Sequence, residues 1–407
     1  MGIVEQKKDG YKKTKLGWIP KDWANYFIGD LIKFSGGSQP PRSTFKFKES
    51  EGYIRLIQTR DYRTNKYKTY VKESVVKKVC NKDDIMIGRY GPPIFQLFKG
   101  LEGAYNVALI KAIPNENKVI RDYAWYFLNR RDLRAFLESL SQRSGGQTGI
   151  EMDALKKYPF PIPSIPEQQK IASILSSWDN AIETTQTLIN KLETRKKGLM
   201  QQLLTGKLRL DGFEDKWKKV NIGQIATQFT DKNKADEVIE VLSCTKYDGL
   251  VRSLDYFGRK VFGDDLSKYK LVPKGYFAYA TNHIEEGSIG YQNLMNRGLV
   301  SPMYTVFKTS EEIDDSFFFR LLKTDRMLYQ YQSNMSGSIA RRGGLRWNVF
   351  ETLVVNIPSI KEQKEIASLF DKIDLEIAYQ EKRLEQLQTQ KKGLMQQLLT
   401  GQIRTKL

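Results

Sequence analysis

The stretch from Pro163 to Gly206 is written twice. Its second copy runs from Pro358 to Gly401 at a constant offset of 195 (358 minus 163, 401 minus 206), and about 23 of the 44 positions are identical. A duplication of that density makes the chain two halves, each closing on the same element. Ser164 with Glu167, and Ser359 with Glu362, have capping-box spacing: the hydroxyl takes an orphan N–H of the first turn and the carboxylate returns to the N-cap N–H. Apolar residues then recur at heptad spacing. In the first copy they are Ile171, Trp178, Leu192 and Leu199, with Leu175, Ile182, Ile189 and Leu203. In the second they are Ile366, Ile373, Leu387 and Leu394, with Phe370, Ile377, Leu384 and Leu398. Gly206 and Gly401 are the expected stops. From Glu167 to Leu204 such a helix is roughly 57 Å long. Its stripe must cover either its own globular half or a partner helix, and the two copies are each other's obvious partners.

The 407 residues hold 66 Lys and Arg against 47 Asp and Glu, a formal charge of +19, with 40% apolar and 12% aromatic residues. That is a folding composition with a polyanion as its natural partner. With no apolar run of about 18 residues, nucleic acid is favoured over membrane. Cys80 and Cys244 are not equivalent in the two halves and suggest neither a disulfide nor a metal site, and a reducing cytoplasm fits. The basic N-terminal residues lack the apolar stretch of a secretory signal.

The duplication extends beyond the helices. Leu16-Gly17-Trp18-Ile19-Pro20-Lys21-Asp22-Trp23 leads to Ile28-Gly29-Asp30-Leu31, and Leu210-Asp211-Gly212-Phe213-Glu214-Asp215-Lys216-Trp217 leads to Ile222-Gly223-Gln224-Ile225. The segment after Leu398 stands where a first-half sequence would hand over to the one at Leu16, so the two ends of the chain are expected to meet. Between these landmarks lie two dissimilar stretches. Runs at 53–57, 85–87 and 107–110, and at 238–242, 276–280 and 304–307, read as strands. A helix is expected over about 123–140 and another over about 316–332. The class is α+β with mixed or mostly antiparallel sheets. The division is a segment 1–20, a globular domain 21–160, a helical region 161–209, a second globular domain 210–355 and a second helical region 356–407.

Two loops carry side chains suited to base edges. Arg89, Tyr90 and Gln96 follow the strand at 85–87, and Asn282 and His283 follow the strand at 276–280. Arg, Asn and Gln pair bidentately with guanine and adenine in the major groove. Arg42, like Lys46, Lys48, Arg60, Arg63 and Lys66, suits phosphates or solvent. Glycine-rich segments leading back to each helix carry Gln147, and Arg341, Arg342 and Arg346; either they contact a sugar-phosphate backbone or they are tight turns. No phosphate loop, methyl-donor glycine fingerprint or Asn/Asp-Pro-Pro-aromatic tetrapeptide occurs, since Gly91-Pro92-Pro93-Ile94 has glycine first, and His283 is the single histidine. No catalytic residue and no metal site is expected.

Pro161-Ile162-Pro163-Ser164-Ile165-Pro166-Glu167-Gln168-Gln169-Lys170-Ile171 at the head of the first long helix and KKGLMQQLLTG at its tail resemble the specificity subunit of type I restriction–modification systems. The second copy has Asn356 and Lys361 in place of two prolines. The resemblance spans the chain. It implies two target recognition domains separated by an antiparallel coiled coil of the long helices, each domain reading one half of a bipartite, asymmetric site in double-stranded DNA. It also implies two docked modification subunits that methylate adenine, with restriction subunits joining through them. S-adenosylmethionine, Mg and ATP then belong to those partners, and no cofactor belongs to this chain. The shared tails, with Lys196, Lys197, Gln201, Gln202, Lys391, Lys392, Gln396 and Gln397, are the expected docking ground. The alternative is a stand-alone coiled-coil DNA-binding protein or antirestriction decoy.

Overall fold

The structure, a computed structural model, describes residues 9–91, 93–141, 149–233, 239–335 and 344–405. It divides into unit 1, made of Met1–Thr185 and Arg383–Leu407, and unit 2, made of Gln186–Lys382. Both repeated stretches are 39-residue helices, Ile165–Leu203 and Ile360–Leu398. Each unit therefore contains the first part of one long helix and the last part of the other.

Unit 1 is built on an antiparallel sheet in the order Ile32–Gly36, Leu109–Pro114, Ile85–Gly88, Gln96–Phe98. The run Ile85, Met86 and Ile87 is wholly buried, as a central strand covered on both faces must be. A second sheet, Tyr70–Lys72, Tyr53–Ile57, Gly103–Tyr105, Val79–Cys80, contains one parallel pair. Gly103 makes that pairing possible: its φ is 144° and a Cβ there would lie 2.4 Å from the Arg55 carbonyl oxygen. Unit 2 repeats the first sheet as Ala226–Phe229, Tyr304–Thr309, Phe277–Ala280, Ile289–Tyr291, with two-stranded ribbons beside it. In both units the strand that returns to the long helix pairs with the strand just ahead of the first sheet: Pro159–Ile162 with Ala24–Phe27, and Val354–Ile357 with Lys218–Asn221.

Several expectations shift. The helix expected over 123–140 is two, Arg121–Leu128 and Arg131–Ser141, and that over 316–332 is Asp315–Leu322 and Asp325–Asn334. The breaks fall where a polar side chain bonds back to a carbonyl, Asn129 Nδ2 to Trp125 O at 3.0 Å and Thr324 Oγ1 to Leu321 O at 2.8 Å. The strand expected from Val107 begins at Leu109, because Asn106 turns the chain by accepting from Ala108 N at its side chain and Leu109 N at its carbonyl. The strand expected at 238–242 is Leu242–Thr245, and residues 234–238 lie outside those described.

The helix tails end in the cores. Leu398 and Leu399 are buried with Trp23, Tyr123, Phe127, Phe160 and Ile171 in unit 1, and Leu203 and Leu204 with Phe317, Phe318, Ile366 and Phe370 in unit 2. At roughly 1.5–3 kcal/mol for each fully buried leucine, this burial fixes a tail to each globular half. Gly206 and Gly401 stop the helices in the left-handed region, with φ of 70° and 69°. The ends of the chain meet as expected: Tyr11 Oη donates to the Gly401 carbonyl at 2.9 Å, and Arg404 forks onto Asp22 at 2.7 and 3.0 Å.

Candidate nucleic-acid interface

Each globular half is seated by one Glu-Gln pair. Gln168 is fully buried; its Nε2 donates to the carbonyls of Lys118 and Pro163 and its Oε1 accepts from Ile120 N, all within 3.0 Å. Gln363 makes the same three bonds with the Glu312 and Pro358 carbonyls and Asp314 N, at 2.9–3.1 Å. The preceding glutamates do not close the expected capping boxes. The Ser359 hydroxyl does accept from Glu362 N at 3.4 Å. The carboxylates, however, are taken by arginine forks: Arg404 on Glu167 at 2.8 and 2.9 Å, and Arg209 on Glu362 at 2.6 and 2.7 Å. A buried carboxylate facing a bidentate guanidinium gains more there than from one backbone N–H. Arg209 and Arg404 are themselves equivalent (404 minus 209 is 195). The helix segments run antiparallel inside each unit, since the Asp179–Lys391 pair accompanies Glu167–Arg404 and Lys196–Asp374 accompanies Glu362–Arg209.

On these supports stand the candidate reading loops. In unit 1 the loop after Ile85–Gly88 is pinned from beneath by Ile94 and Phe95, both in the core. Phe95 sits at φ 57°, a strained conformation that its burial maintains at about 1–3 kcal/mol. Arg89 and Tyr90 are thereby left exposed, the guanidinium 5.3 Å from the Tyr90 ring centroid. Gln96 has both ends of its amide engaged, Oε1 by Arg63 Nη2 and Nε2 by the Pro93 carbonyl, each at 2.8 Å. Tyr90 bridges Gly149, so the loop abuts the glycine-rich segment. Gln147 lies outside the described residues, and Arg42 is exposed on the turn Arg42–Thr44.

Unit 2 repeats the arrangement with other chemistry. After Phe277–Ala280, the Thr281 carbonyl accepts from Leu345 N at 2.8 Å, which brings the loop against the second glycine-rich segment. Asn282 is half-buried and His283 exposed, its Nδ1 3.8 Å from a Glu286 carboxylate oxygen. His283, Glu285 and Glu286 gather their ligand-type atoms within 4.8 Å, so this loop presents carboxylates where unit 1 presents a guanidinium. Arg346 is exposed ahead of the short helix Trp347–Phe350, and Arg341 and Arg342 lie outside the described residues.

A second loop flanks each first one. The turn Thr245 to Asp248 rests against the 281–288 loop. A Cβ on Gly287 would meet the Lys246 carbonyl at 3.5 Å, and Lys323 Nζ donates to that carbonyl at 2.9 Å. Tyr247 projects from it, 79% exposed, with the Lys246 ammonium 5.4 Å from its ring. In unit 1 the turn Thr59–Tyr62 lies beside Gly88 and sends Arg63 to Gln96. A shared Leu-x-x-Thr-Arg/Lys pattern, Leu56 to Arg60 and Leu242 to Lys246, was the available signal.

In the helix tails Lys196 and Lys391 are held by Asp374 and Asp179, while Lys197, Gln201, Gln202, Lys392, Gln396 and Gln397 face solvent. Among the described residues no helix is long and apolar enough to cross a membrane.

The type I restriction modification DNA specificity domain matches this chain twice, over residues 20–194 and 214–389. The type I restriction enzyme MjaVIII specificity subunit of Methanocaldococcus jannaschii is 29% identical over 100% of this chain and 99% of its own length. The putative MjaX specificity subunit of the same organism is 26% identical over 98% of each. The crystal structure of a type I restriction-modification S subunit from M. genitalium shares the fold, with a TM-score of 0.56, 14% identity, and coverage of 95% of this chain and 96% of that one. A repeated scaffold under two unlike loop sets, matched by the same domain in both halves, places this chain in the family of type I restriction–modification specificity subunits.

Proposed function

We propose that this specificity subunit, with its two tandem target recognition domains, reads a bipartite and asymmetric site in double-stranded DNA, one half-site per unit, and serves as the non-catalytic platform of a cytoplasmic complex. The observation that carries this reading is the pairing of equivalent frameworks with non-equivalent loops: Arg89 and Tyr90 in one unit, Asn282, His283, Lys246 and Tyr247 in the other. A +19 chain steers onto a duplex by its charge, while its loops distinguish bases. The 39-residue helices, about 58 Å at 1.5 Å per residue, set the unread spacer, since one duplex turn is only about 34–36 Å. Two modification subunits dock on the helix tails and supply the methyl donor S-adenosylmethionine, and restriction subunits join through them with Mg and ATP. Within this chain the arginine forks and Gln168 and Gln363 seat each globular half on the long helices, and no proton or group is transferred.

Sequencing of methylated adenines in cells with and without this chain tests the reading. A two-part motif with a fixed unread gap should be modified only when the chain is present. An uninterrupted motif, or the same motif without the chain, contradicts it.

A further inference from the structure

A groove of about 780 Å³ opens in unit 1 between the helix pair and the corner where Arg121–Leu128 hands over to Arg131–Ser141. That is within the usual range of built ligand sites. Leu16, Ile182 and Met395 give it an apolar lining. Its two carboxylates are already committed. Asp132 takes Arg130 Nε and Nη2 at 3.0 and 2.5 Å, and Asp179 takes Lys391 and the Tyr126 hydroxyl. The cations are not exhausted. Arg130 is 7% exposed and its Nη1 has no hydrogen-bond partner, a costly state for a buried donor. Arg131 and Lys392 also line the groove, exposed, with no carboxylate at ion-pair distance among the described residues. Four basic side chains thus face two neutralised acids.

The corresponding positions of unit 2 carry less positive charge. At an offset of 194 Thr324 stands for Arg130, Asp325 for Arg131 and Arg326 for Asp132, and Glu193 stands for Gln388 (388 minus 193 is 195). The tails KKGLMQQLLTG are identical, but the surroundings in unit 1 are the more basic. The geometry points to the unit 1 groove as a docking site for an acidic segment of the modification subunit, a carboxylate flanked by apolar side chains, so that two identical partner subunits bind this chain with unequal strength. A duplex backbone fits poorly, since it offers no apolar surface to the lining of Leu16, Ile182 and Met395. This rests on the reading that modification subunits dock on the tails.

The test titrates the full chain with its purified modification subunit and follows both binding steps by native mass spectrometry. The wild-type chain should show two unequal affinities, the tighter one weakening with salt. Reversing the groove as R131E/K392E should weaken the tighter step by at least about tenfold and leave the weaker step unchanged. R131Q/K392Q should give a smaller loss in the same step, and K197E, at the unit 2 counterpart of Lys392, should spare it. Thermal unfolding and duplex binding report that the variants are folded. Two equal wild-type affinities, an unchanged tight step in R131E/K392E, or an equal loss in K197E overturns the groove. Failure of the wild-type chain to bind the subunit at all overturns the docking reading itself.

Discussion

Set side by side, the two units agree where the chain touches itself and disagree where it faces solvent. Glu167 and Glu362 are each gripped by an arginine from beyond the other helix's tail, Gln168 and Gln363 satisfy the same three kinds of backbone group, and Gly206 and Gly401 make the same left-handed stop. By contrast, the loop after the central strand carries an exposed Arg and Tyr in unit 1 and a His with two Glu in unit 2. Duplication preserved the contacts that assemble a unit and left its recognition chemistry open to change. The support is exacting because its charges are buried; the loops are tolerant because theirs are not.

The largest effect should come from cutting the forks. R209M strands the Glu362 carboxylate, whose side chain is 1% exposed, and should cost unit 2 about 3 kcal/mol in urea denaturation followed by tryptophan fluorescence. R404M, at a more exposed arginine, should cost less, about 2 kcal/mol. A loss below about 0.5 kcal/mol in either would place the pairs with ordinary surface salt bridges.

The glycine stops separate the units next. G401A adds a Cβ 2.4 Å from the Pro20 ring as well as a strained φ, whereas G206A meets Trp217 only at 3.4 Å. Both should destabilise by about 1–3 kcal/mol, with G401A the worse, and equal losses would show that φ alone matters.

On the reading side, R89A should relax base choice in one half-site by about 1–3 kcal/mol, measured as relative methylation of single-base variants. Y247A should act only on the other half-site. Uniform weakening across sequences, with a shallower salt slope, would reassign Arg89 to phosphate.

The smallest difference concerns acid. The Arg404 fork, by hydrogen bonding, holds the Asp22 carboxyl below the usual carboxylate range, and unit 2 has Lys216 at the equivalent place. A depressed carboxyl contributes stability above its unfolded pKa, about 4, and loses it as pH falls through the folded value. D22N should therefore flatten the acid limb of the stability curve below about pH 4, and an unchanged limb would remove Asp22 from the latch.

The scaffold was legible because a repeat announces itself: heptads, helix stops and the strand at 85–87 follow from local pattern. What the sequence hid was long-range. Arg404 and Glu167 are 237 residues apart and Arg209 and Glu362 are 153 apart, so nothing local shows that the capping glutamates have a stronger suitor. The helix breaks at Asn129 and Thr324 were visible as residue types but not as decisions, since either residue can also sit within a helix. Among the loop candidates, Gln96 shows why recognition is hardest to read: its chemistry is right, but Arg63 and the Pro93 carbonyl already occupy its amide.

The central claim, one framework under two independent readers, is tested most directly by mapping methylated adenines after residues 24–150 are exchanged for those of another family member. The account predicts that one half-site changes while the other and the gap between them stay as they were. A change in both half-sites would contradict it.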